Sequence, residues 1–167
     1  MKFPCKILLT VLLAFSLSAC GYQLQGNERL PEFMGVTYIQ TGNQYSDLAL
    51  TLERRLRAAG VQPTRSPEGS TAVLRLNKDE FGQRLLSVSA ENVPQEFEVY
   101  YTIAYQVLVD GKVLLEVDSR TLTRDYTFDP TDVLAKRREE EFLRADLAND
   151  LVRLMMRRIA ALDLPEQ

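Results

Sequence analysis

Five residues near the start of the chain, Leu17-Ser18-Ala19-Cys20-Gly21, carry the most specific chemistry in it. Two lysines, Lys2 and Lys6, precede an apolar run from Ile7 to Leu17, and small residues then lead into the cysteine. This is the layout of a secretory signal ending in a lipobox, in which the thiol of Cys20 takes a diacylglycerol group and the freed amine an acyl chain. The apolar run would reach only about 16 Å as a helix. A hydrocarbon core needs about 30 Å, so the run suits a cleaved signal and not a permanent span. Gly21 stands where an aspartate would favour retention in the inner membrane, and its presence favours the outer membrane.

The same cysteine empties the rest of the chain of thiol chemistry. Cys5 leaves with residues 1–19, and the 148 residues that follow contain no other cysteine and no histidine. The commonest metal ligand and general base is therefore missing. A Gly-x-Ser-x-Gly nucleophile motif is missing too, and the carboxylates Asp125 and Asp129 are better explained as turn and cap residues than as an acid–base pair. Without Lys2 and Lys6 the balance is 18 basic against 23 acidic residues, or −5. That charge disfavours nucleic acid as a partner. It also requires any contact with phosphorylated lipid to use a local basic patch.

The elements that must position the remaining residues follow from periodicity. Tyr22 to Pro31 forms a tether, and Val36 to Gln40 a first strand of β-branched and aromatic residues. A helix begins at Ser46 or Asp47, whose side chains can accept the free N–H groups of its first turn. Leu48, Leu52, Leu56 and Ala59 form its apolar stripe; Gly60 ends it, with Val61 folding back. Pro63 to Ser70 is a loop. Ala72, Leu74 and Leu76 alternate with polar neighbours as a half-buried strand, with a bend at Gly82 and a second extended piece over Arg84–Ser89. From Phe97 to Val109 the odd positions are Phe, Val, Tyr, Ile, Tyr, Val and Val. Such a strand is about 40 Å long, with its odd face towards the core.

Asp110-Gly111 is a hairpin turn. The next apolar set, Val113, Leu115 and Val117, is also odd, so pairing odd with odd predicts a three-residue loop with Gly111 in a left-handed bulge position. Beyond Asp118 the strand turns polar, and its far half is expected outside the core. Asp129-Pro130 opens the last helix, Lys136 with Glu140 and Arg137 with Glu141 support it, and Pro165 closes it. Leu147, Ala148, Leu151, Val152, Met155, Ile159 and Leu162 form its apolar face, the methionines as core filler. The order β-α-β-β-β-α defines an α+β two-layer sandwich: a four-stranded, mostly antiparallel sheet with two helices on one face. Tyr100, Leu108, Leu114 and Leu122 then fall on the opposite face, which needs a cover or a partner.

The lipobox running into Cys20-Gly21-Tyr22-Gln23-Leu24-Gln25-Gly26, followed by this element order, resembles the LptE family of lipopolysaccharide-assembly lipoproteins. Leu56-Arg57-Ala58-Ala59-Gly60-Val61, the long strand from Glu96 and Leu134-Ala135-Lys136 add to the resemblance. It implies a signal at 1–19, a lipidated tether at 20–31 and a single domain at 32–167. It further implies a non-enzymatic protein without cofactors, anchored on the periplasmic side of the outer membrane. Its partners would be the β-barrel LptD, which it plugs and helps assemble, and lipopolysaccharide. Lys136 matches the family's lipid-binding lysine; its second basic position falls at Ala90 and Glu91 here, leaving Arg84, Arg120 and Arg124 as candidate substitutes. The competing expectation is an adaptor subunit of another envelope lipid-transport or cell-wall synthesis complex.

Overall fold

The computed structural model describes residues 29–128 and 131–163. The lipobox, Asp129-Pro130 and Pro165 lie outside them. A single 3-10 turn, Glu32–Met34, buries Met34 completely and leads into strand β1, Val36–Gln40. Helix α1 follows at Asp47–Ala58, capped as expected by Ser46, whose Oγ accepts from the Ala49 amide at 3.1 Å. Its end is also local chemistry. Gly60 is left-handed at φ 85°, the Gly60 amide reaches the Arg57 carbonyl, and the Val61 amide reaches the Leu56 carbonyl, both at 3.0 Å. These two bonds satisfy carbonyls that the helix end would otherwise leave open. Leu56 and Val61 are both buried there.

A short strand, β2 at Gln62–Thr64, then pairs parallel with β1 inside the stretch expected to be a loop. The sheet therefore has five strands, not four. A proline-containing trio gives no periodic signal, and it survives because it sits on the sheet's edge, where Pro63 removes no shared ladder bond. Strands β3 (Ala72–Val88), β4 (Pro94–Val109) and β5 (Lys112–Thr127) are long and antiparallel, and β1 joins β3 in parallel. The order is β2-β1-β3-β4-β5. Helix α2, Val133–Ala160, lies beside α1 over the same sheet face.

The odd face of β4 is the floor of the core: Val99, Tyr101, Ile103, Tyr105 and Val107 are all buried. Leu48, Leu52 and Leu56 of α1 and Leu147, Leu151, Met155 and Ile159 of α2 close over it as one cluster. Each fully buried aliphatic of this kind stabilises the fold by about 1.5–3 kcal/mol. At about 1.5 Å per residue, the 28 residues of α2 span about 42 Å, so the helix follows β4 along most of its length. Only the tip of the β3–β4 hairpin extends beyond, exposing Leu85, Leu86, Val88 and Val93.

Two expectations for the second hairpin fail for one reason. Val109 and Lys112 close a two-residue turn, with Asp110 at φ 50° and Gly111 at φ 75°. Two left-handed residues make a type I′ turn, whose twist matches that of the flanking strands. The odd-to-odd register is still reached, because the ladder shifts inside the strands and puts Val107 opposite Leu115. A further shift puts Tyr105 opposite Asp118, so even positions of β5 face the core from there on. Hence Val113 and Val117 are exposed, while Leu122 packs on the core and Tyr126 is buried. The far half of β5 lies under α2, not outside the core. A similar bulge at Asn77 moves the core face of β3 from Leu74 and Leu76 to Asp79 and Phe81, and β3 runs unbroken past Gly82.

Candidate functional site

Lys136 stands in the first turn of α2, which Asp132 caps by accepting from the Ala135 amide at 3.1 Å. Its ammonium lies 2.8 Å from Glu139, one residue short of the expected Glu140. Arg84 projects from the uncovered sheet face and pairs with Glu98 at 2.5 Å. Arg120 and Arg124 stand opposite Ile103 and Val99, in register with the buried positions and so on the helix side. Arg120 pairs with Asp118 at 3.0 Å. Arg124 bridges to α2, 2.8 Å from Asp150 and 3.4 Å from Asp146. The four candidate cations thus occupy separate places, each beside its own carboxylate. To hold a phosphate, any of them has to exchange that carboxylate for it.

The bulges create polar clasps that the sequence pattern does not show. Asp79 accepts from Tyr101 Oη at 2.7 Å and from the cap hydroxyl of Ser46, tying the start of α1 to the sheet. Arg144 of α2 pairs with Asp47 at 2.6 Å and lies over the Phe81 ring, 5.1 Å from its centroid. Four residues further along β4, Tyr105 donates to Asp118 at 3.2 Å. Burial first, then the hydrogen bond to Asp79, pushes the Tyr101 hydroxyl well above its ordinary pKa. For Tyr105 burial again leads, followed by the charge of Asp118. The signal available in the sequence was the odd-position pair Asp79 and Phe81, visible only once Asn77 is recognised as an extra residue.

Among the described residues, nothing covers the face opposite the helices. Arg75 reaches Gln40 at 2.7 Å, Lys78 pairs with Glu80 at 2.7 Å, and the hydroxyls of Thr102 and Thr121 meet at 2.9 Å. The Tyr100 ring lies so close over Gly82 that a Cβ there would come within 2.5 Å of its Cζ. Glycine is thus required for the ring to lie flat, and the ring shields backbone that glycine leaves bare. Among the described residues, no cluster of acidic groups could hold a metal ion, and no helix is long and apolar enough to cross a membrane. What the surface offers is a firmly internally paired polar sheet and an apolar hairpin tip.

Fold and surface together define an α+β module of one sheet and two helices that presents broad surfaces. The family model for LptE, lipopolysaccharide-assembly, matches residues 34–159. The chain belongs to the LptE family. The LPS-assembly lipoprotein LptE of Yersinia enterocolitica is 22% identical over 99% of this chain and 80% of its own length. That of Photorhabdus laumondii is 23% identical over 91% and 85%. Among solved structures, lipoprotein B of Nitrosomonas europaea superposes with a TM-score of 0.69 at 28% identity, covering 84% of this chain and 91% of its own. A minor lipoprotein of Acinetobacter baumannii shares the fold, with a TM-score of 0.64 at 23% identity over 81% of this chain.

Proposed function

We propose that the chain is a lipid-anchored outer-membrane protein that assists lipopolysaccharide assembly as a non-enzymatic plug of the β-barrel LptD. The observation that carries this reading is the LptE match across 34–159. Relatives named LPS-assembly lipoprotein LptE that align over nearly the whole chain support it. The surface is compatible with it: a plug must offer a polar, shape-fixed face to a polar lumen, and the uncovered sheet face is of that kind. In this reading residues 1–19 are removed, Cys20 carries the acyl groups, residues 20–31 form the tether, and the domain begins at residue 32. Lys136 is the proposed lipopolysaccharide contact, with Arg84, Arg120 and Arg124 as the further candidates.

The test is photocrosslinking in cells from position 100, in the middle of the uncovered face. A product joined to a large outer-membrane barrel is expected. Recovery of an inner-membrane complex in its place would refute the reading and favour the adaptor alternative. Mass measurement of the purified protein checks the anchor separately, since Cys20 should carry added acyl mass and residues 1–19 should be gone.

A further inference from the structure

Helix α2 changes character at Leu147. From there to its end it buries Leu147, Leu151, Met155 and Ile159 completely. Before Leu147 no described residue of α2 is buried: Leu134 is 67% and Phe142 70% exposed, and Leu143 only borders the core. Among the described residues, the hydrogen bonds and ion pairs of Leu134 to Leu143 stay within the helix and its cap. This stretch of about three turns also carries its charges in the weaker order. No acid stands in the first turn, and Lys136-Arg137-Arg138 precede Glu139-Glu140-Glu141. Cations near a helix N-terminus oppose the dipole, and a cation four residues before its acid gains less than the reverse arrangement. A helix this short is marginal in water unless something beneath it holds it down.

Two arginine clasps stand where the character changes. Arg144 pairs with Asp47 at the start of α1 and lies over the Phe81 ring of β3. Arg124 of β5 reaches Asp146 and Asp150. Together they fix α2 to α1, β3 and β5 from residue 144 onwards, and leave the earlier turns resting on the sheet. What lies there is one apolar row on the helix side. Leu85 pairs with Phe97 and Phe97 with Tyr126, across β3, β4 and β5. The row is open at one end, where Leu85 is 48% exposed, and closed at the other, where Tyr126 is 8% exposed. Phe97 stacks on Tyr126 with ring centroids 5.8 Å apart and takes Phe128 edge-on at 5.5 Å. Burial first, and then the charges of Glu140 and Glu139, raise the pKa of the Tyr126 hydroxyl, so these two acids of α2 stand beside it.

We infer that residues 134–143 form a lid that lifts from the sheet while the rest of the domain stays folded, with the clasps at 144–150 as its stop. Raised, it extends the open apolar surface of the hairpin tip inwards, from Leu85 to Phe97 and Tyr126. Covering part of this row stabilises the closed lid far less than the main core stabilises the fold, so the lid opens without global unfolding. The clasps set the boundary because beyond them each turn of α2 buries an aliphatic side chain. The inference uses neither the acylation reading nor the LptD partnership.

The experiment uses residues 20–167 with Cys20→Ser, which leaves no thiol and no acyl group. In amide hydrogen exchange, residues 138–143 should be at least about 100-fold less protected than 151–159, and low urea should leave their rate unchanged, because a small opening exposes little surface. Exchanging the charges of one pair, Arg137→Glu with Glu141→Arg, restores the favourable order and should slow 138–143 by about threefold. Arg124→Gln with Arg144→Gln should extend the fast class to 144–150 and leave 155–159 in the slow one. Tyr126→Cys, the single thiol of its chain, should react with a small thiol reagent at a rate that low urea also leaves unchanged. Equal protection and equal urea dependence for 138–143 and 151–159 would overturn the proposal, on the chain with no change in the domain itself. Labelling at position 126 only upon global unfolding would overturn it as well.

Discussion

Tyr101 and Tyr105 offer a matched pair of perturbations. They are four residues apart on one strand, both rings are buried, and each hydroxyl donates to an aspartate on a neighbouring strand. Tyr→Phe removes the hydroxyl and leaves the packing. A hydrogen bond to a charged group is worth about 1.5–3 kcal/mol, and half-buried Asp79 puts the Tyr101 bond at the lower end of that range. After Tyr101→Phe, Asp79 keeps the Ser46 hydroxyl as its one side-chain donor among the described residues, so a loss of about 1.5 kcal/mol is expected. Tyr105 is different. Its bond is long at 3.2 Å, and Asp118 is also held by both Arg120 Nε at 3.0 Å and Arg120 Nη2 at 3.2 Å. Tyr105→Phe should cost about 0.5 kcal/mol, because the carboxylate it abandons remains compensated. Urea unfolding measures both, as a lower midpoint at unchanged slope. Ser46→Ala combined with Tyr101→Phe should be non-additive by at least about 0.5 kcal/mol, since both act on Asp79. Equal losses for the two tyrosines, or simple additivity with Ser46→Ala, would refute this account of the clasp.

The same hydroxyls predict an alkaline limit. Their folded pKa values are raised above the unfolded value of about 10, so the unfolded chain loses these protons first. Their stabilising effect is complete below pH 10 and declines as pH rises above it, by at most about 1.4 kcal/mol per pH unit for each tyrosine. Urea midpoints taken upwards from pH 10 should fall less steeply in Tyr101→Phe/Tyr105→Phe than in the parent; identical slopes would show that other groups control the limit. At the β4–β5 turn, Gly111→Ala meets no neighbouring atom, so its cost is conformational only. A left-handed alanine there should lower stability by about 1–2 kcal/mol, read from the same unfolding curves, and no loss would mean the turn readily changes type.

What was legible in the sequence was what local chemistry decides. Ser46, Gly60 and Val61 mark the ends of α1 because their hydrogen bonds reach only three to five residues. The odd face of β4 was legible because no bulge interrupts its own alternation across the core. Strand β2 was not, since its three residues are extended only through long-range pairing with β1. The face of β5 inverts beyond Leu115, against the expectation for Val117 and Leu122, and that of β3 inverts beyond Leu76, where one extra residue turns every later side chain over. The candidate site divides likewise. Lys136 and its carboxylate lie within one helical turn, although the partner is Glu139 and not Glu140. The contacts of Arg124 lie 22 and 26 residues away and required the fold.

Those inversions also explain how a sheet this long holds a helix along its whole length. Near the β4–β5 turn the space beneath α2 is filled by apolar side chains, Val107, Leu74, Met155 and Ile159. Further out, the bulges turn Asp79, Asp118, Arg120 and Arg124 to the helix side, where an uninterrupted alternation would have set different residues. Groups of that kind lose hydration under a helix and need partners, and they have them: Tyr101 and Ser46, Tyr105, and Asp146 with Asp150. The outer half of the domain is thus fastened by polar clasps at specific points, and the inner half by apolar packing. An apolar outer half would have enlarged the core but also left a 16-residue edge strand flat and hydrophobic, a template for aggregation. Bulges and inward charges on β5 avoid that. They leave an edge and a face that can stand against a folded partner without joining its sheet.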